Sequence, residues 1–220
     1  MANPCLTPTK PADMIGDDRW LNQHEYHLQL AKESEPEVVF IGDSLISFLS
    51  QTDIWHDLFE PLHCLNFGIG GDKVEHVLWR VQDGVLDNIK PKVVVIFVGT
   101  NNTDDSPEHV ADGIVGLVKL VQSKQPKATI FVMELLPRGK HMNRLWEKNI
   151  ATNKYLVEKL SSLGPKVKLQ VHKSDDFVIN GNQTSATDFF DYLHMSETGN
   201  RKVFGPVFEQ VKKVLADLDK

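Results

Sequence analysis

A serine preceded by a glycine and an acid ends the first strongly apolar run of the sequence. The stretch EVVFIGDSLISFL covers residues 37 to 49 and places Gly42, Asp43 and Ser44 directly after a predicted buried strand. Gly-Asp-Ser is ordinary turn chemistry, and Ser44 could simply cap the next helix. The other interpretation is that the turn presents Ser44 as a nucleophile. A serine nucleophile needs a base and a group that orients the base, so the rest of the chain must supply both.

Among the nine histidines, His194 is the best candidate for the base. It follows Asp191 by three residues in the stretch DFFDYLHMSETG. A carboxylate at this spacing can accept a hydrogen bond from one ring nitrogen and leave the other nitrogen free to take a proton. The motif Asp-x-x-His is common, so the pair alone does not establish catalysis. Most of the other histidines are expected to be solvated (His24, His27, His109 and His141) or to be surface or packing residues (His56, His63 and His76).

Ester hydrolysis also needs hydrogen-bond donors for the oxyanion, and the sequence offers three. They are the backbone N–H of Ser44, the N–H of a glycine in GIGGD such as Gly71, and the side chain of Asn101. Each follows an apolar run that ends in glycine, in FIGDS, NFGIGGD and FVGTNN. Each run by itself is most simply a turn. Loss of one oxyanion donor typically lowers the rate about 10²- to 10³-fold, so Gly71 and Asn101 would be functional residues.

The elements that must position these residues alternate between apolar runs and helical patterns. Five runs are continuous rather than alternating, which is typical of strands covered on both faces: EVVFIG, HCLNFG, KVVVIFVG, ATIFVMEL and VKLQV. One helix is predicted to begin at Ser106-Pro107, another covers residues 143 to 162, and the last begins at about Ser196. We expect Gly205-Pro206 to kink or interrupt the last helix. The pattern predicts an α/β fold with a parallel sheet, whose carboxyl-terminal edge is where ligands bind.

Length and composition favour one globular domain. The chain has 220 residues, of which 41% are hydrophobic and 25% charged. Residues 15 to 220 are expected to form the domain, and residues 1 to 14, which contain three prolines, a disordered arm. The net charge of -6 argues against binding to nucleic acid or to an anionic membrane. The two cysteines suggest neither a disulfide framework nor a metal site, and without a long apolar stretch we expect a soluble, cytoplasmic protein.

Four motifs in order give the sequence a family resemblance. Gly42-Asp43-Ser44-Leu45, the glycines after the second strand, Gly99-Thr100-Asn101 and Asp191-Tyr192-Leu193-His194 resemble the four blocks of the SGNH, or GDSL, hydrolase superfamily. Within it the chain resembles most the catalytic alpha subunits of intracellular platelet-activating factor acetylhydrolase type Ib. That resemblance runs from about residue 15 to the end and is carried by DDRW, EPEVVFIGDSL, PLHCLNFGIGGD, HVLWR, VGTNN, LLPRG and DYLHMS.

The resemblance implies a role for each candidate residue. Ser44 would be the nucleophile, His194 the general base and Asp191 the group that orients it. Gly71, Asn101 and the N–H of Ser44 would form the oxyanion hole. The family also implies a three-layer flavodoxin-like fold with a five-stranded parallel sheet, no metal and no cofactor. Its reaction is hydrolysis of a short acyl ester, such as the sn-2 acetyl ester of platelet-activating factor, through an acetyl-serine intermediate.

Substrate size and partners follow less directly from the residues. Leu45, Thr100 and Leu193 flank the catalytic positions and could close a small acyl pocket, although plain packing explains them equally well. Asp43 is expected to form the turn. The resemblance implies a homo- or heterodimer that binds a WD-repeat regulator of dynein, the lissencephaly protein. Two alternatives stay open: a weakly active subunit that serves mainly to bind this partner, and an esterase for acetylated carbohydrates or other small esters.

Overall fold

Five parallel strands form a central sheet in the order β2-β1-β3-β4-β5. The computed structural model describes residues 2–172 and 176–218. Strands β1 and β3 are buried at every position, as expected for a sheet that is covered on both faces. The strands are β1 (Val38–Gly42), β2 (Cys64–Gly68), β3 (Val93–Phe97), β4 (Thr129–Met133) and β5 (Val167–Gln170). All five predicted strands and their parallel arrangement are confirmed.

Helices cover the sheet and complete the predicted three-layer α/β fold. They are α1 (Arg19–Glu33), α2 (Ser44–Leu49), α3 (Val74–Gln82), α4 (Pro107–Lys124), α5 (Arg144–Leu160) and α6 (Glu197–Leu218). Helix α4 packs between α3 and α5, and Phe204 of α6 contacts Phe40 of β1 and Phe97 of β3. A short antiparallel pair, β6 (Val178–Ile179) and β7 (Gln183–Thr184), precedes α6. Within residues 2–172 and 176–218, no helix has the length and apolar character to span a bilayer.

The register of the sheet brings three strand ends to one edge. Gly42 at the end of β1 lies opposite Gly68 of β2 on one side and Phe97 of β3 on the other. The glycine-rich turns that follow these strands therefore begin side by side. This is the edge at which open α/β sheets bind their ligands, as the sequence predicted.

The helix boundaries follow the capping signals, with one exception. Ser106 caps α4 by accepting a hydrogen bond from the N–H of His109, and Asn143 caps α5. The last helix was predicted to be kinked or interrupted at Gly205-Pro206; α6 continues through Pro206, so the interruption is absent and the kink stays a prediction. Pro206 is exposed, so water can bond the carbonyl that the proline cannot reach, while buried residues on the opposite side hold the helix to the sheet.

The N-terminal segment is not the disordered arm that its prolines suggested. Residues Pro4–Leu6 form a 3₁₀ turn that contacts α3 and α4, and Cys5 is fully buried. The side-chain amide of Asn3 donates to the carbonyl of His109, and the N–H of Thr9 donates to the carbonyl of Glu75. These long-range anchors order the segment, and local composition does not reveal them.

Two histidines of α1 are buried, contrary to the prediction that they are solvated. His24 and His27 lie on the side of α1 that faces the protein, and the ring of His27 is 5.1 Å from that of Phe67 in β2. Burial lowers the pKa of His27 to about 3, and the nearby Arg80 guanidinium acts in the same direction. His27 is therefore neutral in the folded protein at pH values where an exposed histidine takes up a proton.

Acid should destabilise the protein partly through His27. Between pH 6.5 and 3 the unfolded chain binds a proton at this site that the folded chain does not, so stability falls as the pH falls. The slope rises from about half of 1.4 kcal/mol per pH unit at pH 6.5 to nearly the full value at pH 4.5, so the loss between these pH values is roughly 2 kcal/mol. We expect His27→Leu to flatten this part of the pH profile of the free energy of unfolding, measured with urea, and His141→Leu, at an exposed site, to leave it unchanged. An equally steep profile in His27→Leu would refute this account.

Candidate active site

Ser44 is held at the start of α2 by the turn that ends β1. Asp43 is the N-cap, and its Oδ1 accepts a hydrogen bond of 2.9 Å from the N–H of Leu45, which confirms the predicted turn-forming role of Asp43. Helix α2 crosses closely over the end of β2, where a Cβ on Gly68 would lie 2.2 Å from the backbone nitrogen of Ser47. Only glycine permits this approach, which fixes the position of the serine above the strand ends.

His194 and Asp191 lie against this serine although they are about 150 residues away in sequence. The Nε2 of His194 is 2.9 Å from the Oγ of Ser44, and its Nδ1 is 2.6 Å from Oδ2 of Asp191. Since an ionised carboxylate can only accept, Nδ1 carries the proton and donates to Asp191. The Nε2 of the neutral ring is then free to accept the hydroxyl proton of Ser44. The structure thus brings the three predicted residues together in one hydrogen-bonded line.

The loop around Asp191 keeps its carboxylate ionised and correctly turned. Its Oδ1 accepts hydrogen bonds from the backbone N–H groups of Leu193, at 3.0 Å, and His194, at 2.6 Å. Partial burial would raise the pKa of Asp191, but the hydrogen bonds from His194 and Leu193 outweigh it and the pKa is lowered. An ionised Asp191 can orient the imidazole and stabilise its protonated form.

Two aromatic rings flank the imidazole, and neither was predicted from the sequence. The ring of Phe48 is 4.9 Å from that of His194, and the ring of Phe190 stacks against it at 5.8 Å. Phe48 follows Ser44 by four residues, so the two share one side of α2. This helical spacing was the available sequence signal for Phe48. The two rings limit rotation of the imidazole away from the serine.

The three predicted oxyanion donors lie on turns at the same sheet edge. The N–H groups of Ser44 and Gly71 make no hydrogen bond with the described part of the chain. Gly71 has a φ of 83°, a conformation that favours glycine, and a Cβ there would meet no atom within 4 Å. The side-chain amide of Asn101 donates to the carbonyl of Asp72 at 3.0 Å, which leaves its second N–H available.

Arg138 connects the Asn101 turn to the histidine loop, a role that was not predicted from the sequence. Its Nη1 donates to the carbonyl of Thr100 at 2.7 Å and to Oδ1 of Asn101 at 3.3 Å. The next residue, Gly139, donates its N–H to the carbonyl of Tyr192, in the loop between Asp191 and His194. Arg138 lies in LLPRG, one of the motifs that carry the family resemblance, and this was the available signal.

Buried charges lie beneath the site. Asp72 forms an ion pair of 2.7 Å with Arg80, both fully buried, and Arg80 also donates to the carbonyls of Phe67 and Gly42. The pKa of the buried Asp43 carboxyl is raised to about 7, mainly by burial and further by the charge of Asp72. Through its two backbone hydrogen bonds Arg80 ties the ends of β1 and β2 together. The raised pKa reduces the negative charge that Asp43 places beside the serine at neutral pH.

The residues predicted to line an acyl pocket have other visible contacts. Leu45 is buried, and its N–H donates to the carboxylate of Asp43. Thr100 is also buried, and its carbonyl accepts from Arg138. Leu193 is half-buried, and its N–H donates to the carboxylate of Asp191. Their role in selecting the acyl group stays a prediction.

Comparison with known proteins identifies the family. Residues 40–202 match the model of the GDSL-like lipase/acylhydrolase family. The chain belongs to this family. Among its relatives are two human proteins, platelet-activating factor acetylhydrolase IB subunits alpha2 and alpha1. The first is 43% identical over 98% of this chain and 93% of its own length, and the second is 44% identical over 97% and 92%. This GDSL-like protein is therefore a carboxylic ester hydrolase, and the predicted family resemblance is confirmed.

Solved structures agree on the fold of the GDSL-like protein. A GDSL-like lipase from Bacteroides thetaiotaomicron superimposes with a TM-score of 0.69 at 18% identity and covers 89% of this chain and 98% of its own. A carbohydrate acetylesterase from Sinorhizobium meliloti gives a TM-score of 0.64 at 16% identity, with coverages of 82% and 100%. At these identities the likeness concerns the fold alone.

Proposed function

We propose that the protein removes a short acyl group, the acetyl group above all, from an ester through a covalent acyl-serine intermediate. The observation that carries this proposal is the hydrogen-bonded line from Ser44 through His194 to Asp191. The hydroxyl, the imidazole and the carboxylate are already in the order that acyl transfer requires. A complete and connected set of groups favours an active enzyme over a subunit that only binds a partner.

In the proposed mechanism, His194 acts first as a base and then as an acid. Its Nε2 takes the proton of the Ser44 hydroxyl as Oγ forms a bond to the acyl carbon. The tetrahedral intermediate collapses when the bond to the alcohol oxygen breaks, and the protonated imidazole gives its proton to that oxygen. Water then attacks the acyl-serine, again losing a proton to Nε2. The acid is released and Ser44 regains its hydrogen.

The proposed oxyanion hole consists of the N–H groups of Ser44 and Gly71 and the side-chain amide of Asn101. The N–H groups of Ser44 and Gly71 have no partner among the described residues, and the Asn101 amide has one spare N–H. No existing hydrogen bond must therefore break when the oxyanion forms. Arg138 donates to the oxygen of the Asn101 amide, and the nitrogen of that amide donates to the carbonyl of Asp72, so the amide is held at both ends. Donors that are fixed in advance lower the barrier without a cost of reorganisation during the reaction.

The substrate proposed for the protein is platelet-activating factor or a related acetylated phospholipid. The support is the name of the relatives, which are acetylhydrolase subunits over nearly the whole length of this chain. Leu45, Thr100 and Leu193 are proposed to restrict the acyl group. The structures of carbohydrate esterases resemble this one only in fold and give no reason to prefer a sugar substrate.

A series of esters with one alcohol and acyl chains of increasing length tests the proposal. With p-nitrophenyl acetate, butyrate and hexanoate, we expect kcat/KM to be highest for acetate. The value for hexanoate should be lower by about 10-fold or more, since each methylene that does not fit the acyl pocket lowers kcat/KM. The wild-type protein should also release acetate from platelet-activating factor. A constant or rising kcat/KM along the series would contradict the short-acyl proposal.

An assembly and a cellular location are proposed as well. The relatives are named as subunits, which favours assembly with further chains. The family resemblance of the sequence implies that this assembly is a homo- or heterodimer that binds a WD-repeat regulatory protein. Residence in the cytoplasm is likewise a prediction from the sequence.

A further inference from the structure

A groove lies beside the candidate active site, and one of its walls is formed by the segment before α1 together with the first turn of α1. Its volume is about 700 Å³. One wall is formed by residues 10 to 21, and the other includes Ser47, Phe48, Gly70 and Gly71. Nothing in the mechanism described above uses the first wall.

Two residues that line the groove are neighbours of the reacting groups. Gly71, a proposed oxyanion donor, lines it, and so does Phe48, whose ring is 4.9 Å from the imidazole of His194. The Nε2 of that imidazole is 2.9 Å from the Oγ of Ser44. A molecule in the groove would therefore lie next to the nucleophile and the base.

The volume of the groove decides which part of an ester it can hold. An acetyl group has three non-hydrogen atoms and occupies about the space of three water molecules at roughly 30 Å³ each. A cavity of about 700 Å³ is far larger and falls within the range of about 300 to 1,000 Å³ that accommodates drug-sized ligands. The alcohol that leaves, rather than the acyl group, is the part that matches the groove.

The first wall is a preformed structure. The carboxylate of Asp13 accepts hydrogen bonds from the N–H groups of Ile15, Gly16 and Asp18, and these bonds lower the pKa of Asp13 and keep it charged. The indole of Trp20 donates to Oδ1 of Asp72 at 2.7 Å. The carbonyl of the same Asp72 accepts from the amide of Asn101, so the wall is tied to the proposed oxyanion hole.

The chemistry of the groove is mixed. Met14 is 89% exposed, Ile15 73% and Phe48 40%, which is a large apolar area for the rim of a polar site. The first wall also carries charges of both signs: Lys10 and Arg19 against Asp13, Asp17 and Asp18. With more carboxylates than cations, the wall suits a zwitterionic group better than a purely anionic one.

We infer that residues 10 to 21 form the leaving-group subsite and hold the amphiphilic alcohol of the proposed phospholipid substrate, which combines an alkyl chain with a zwitterionic head group. Met14 and Ile15 contact the alkyl chain, while the charged residues of the wall face the head group. This inference rests on the proposed function, because it requires the Ser44 site to act on acetyl esters.

The test compares two acetyl esters in wild type and in the Met14→Ser/Ile15→Ser double variant. One is p-nitrophenyl acetate, and the other is a long-chain alkyl acetyl glycerophosphocholine used below its micelle concentration. We expect the double variant to lower the ratio of kcat/KM for the phospholipid to that for p-nitrophenyl acetate by about 10-fold or more, since the alkyl chain loses its contacts with these two apolar side chains. Ile179→Ser, an exposed isoleucine on β6 away from the groove, should keep the wild-type ratio.

The outcomes separate the subsite from the proposed function. If wild type hydrolyses neither ester, the proposed function fails. If wild type hydrolyses both esters and the double variant keeps the wild-type ratio of kcat/KM values, the subsite inference is overturned. This includes a parallel fall of both rates, which would indicate that the wall binds a second copy or another protein. The wild-type protein should also prefer the glycerophosphocholine ester to the same lipid with a bare phosphate, and the opposite preference would overturn the zwitterionic assignment.

Discussion

Replacing Ser44 by alanine is expected to lower kcat for p-nitrophenyl acetate by about 10⁴- to 10⁶-fold, the range seen when a nucleophilic serine is removed. The variant lacks the oxygen that forms the acyl bond, while the oxyanion donors and the groove remain. Stability should change little, because the hydrogen bond described for the Ser44 hydroxyl is the one to His194. Thermal unfolding followed by circular dichroism will show whether the variant is folded.

A second serine of the same segment provides the control. Ser50 follows α2, and its hydroxyl donates to the carbonyl of Ser47. Ser50→Ala removes an equivalent hydroxyl six residues away and should keep kcat within a few-fold of wild type. Retention of most activity in folded Ser44→Ala would show that another group is the nucleophile.

Removal of the imidazole should be nearly as damaging. In His194→Ala we expect kcat to fall by about 10⁴- to 10⁶-fold, because Ser44 loses the base that takes its proton and the alcohol loses its acid. Nucleophile and base act in one step, so their effects should not add. The Ser44→Ala/His194→Ala double variant should therefore be about as active as either single variant.

Controls again decide between chemistry and folding. His109→Ala replaces a histidine on α4, outside the proposed catalytic set, and is expected to keep wild-type kcat. If the losses of Ser44→Ala and His194→Ala instead multiplied in the double variant, the two residues would act independently, and the hydrogen bond between them would not be part of the mechanism.

Much of the fold was predictable because its signals are local. Short, continuous and β-branched runs such as Val93–Phe97 favour buried strands, and Ser106-Pro107 is a capping signal that lies within one turn of its helix. The glycines that end three strands predicted a shared edge, and the parallel register places them there. Once the edge was known, Ser44 and Asn101 followed as candidates.

The remaining features depend on contacts that are distant in sequence. Cys5 is buried because the first residues pack on α3 and α4, and no local pattern near its prolines indicates this. His27 looks solvated in its own stretch and is buried only because α1 docks against β2. Arg138 follows β4 and belongs to the site because it donates to Asn101, which follows β3. Such contacts need the tertiary structure.

The central claim, that Ser44 is the activated nucleophile of an ester hydrolase, is tested most directly by covalent labelling. Folded wild-type protein is incubated with a fluorophosphonate, and the label is located by mass spectrometry of the intact chain and its peptides. We predict one label per chain, on the peptide that contains Ser44, and none in Ser44→Ala. A folded, ester-hydrolysing wild-type protein that stays unlabelled, or that carries its label on another residue, would contradict the account.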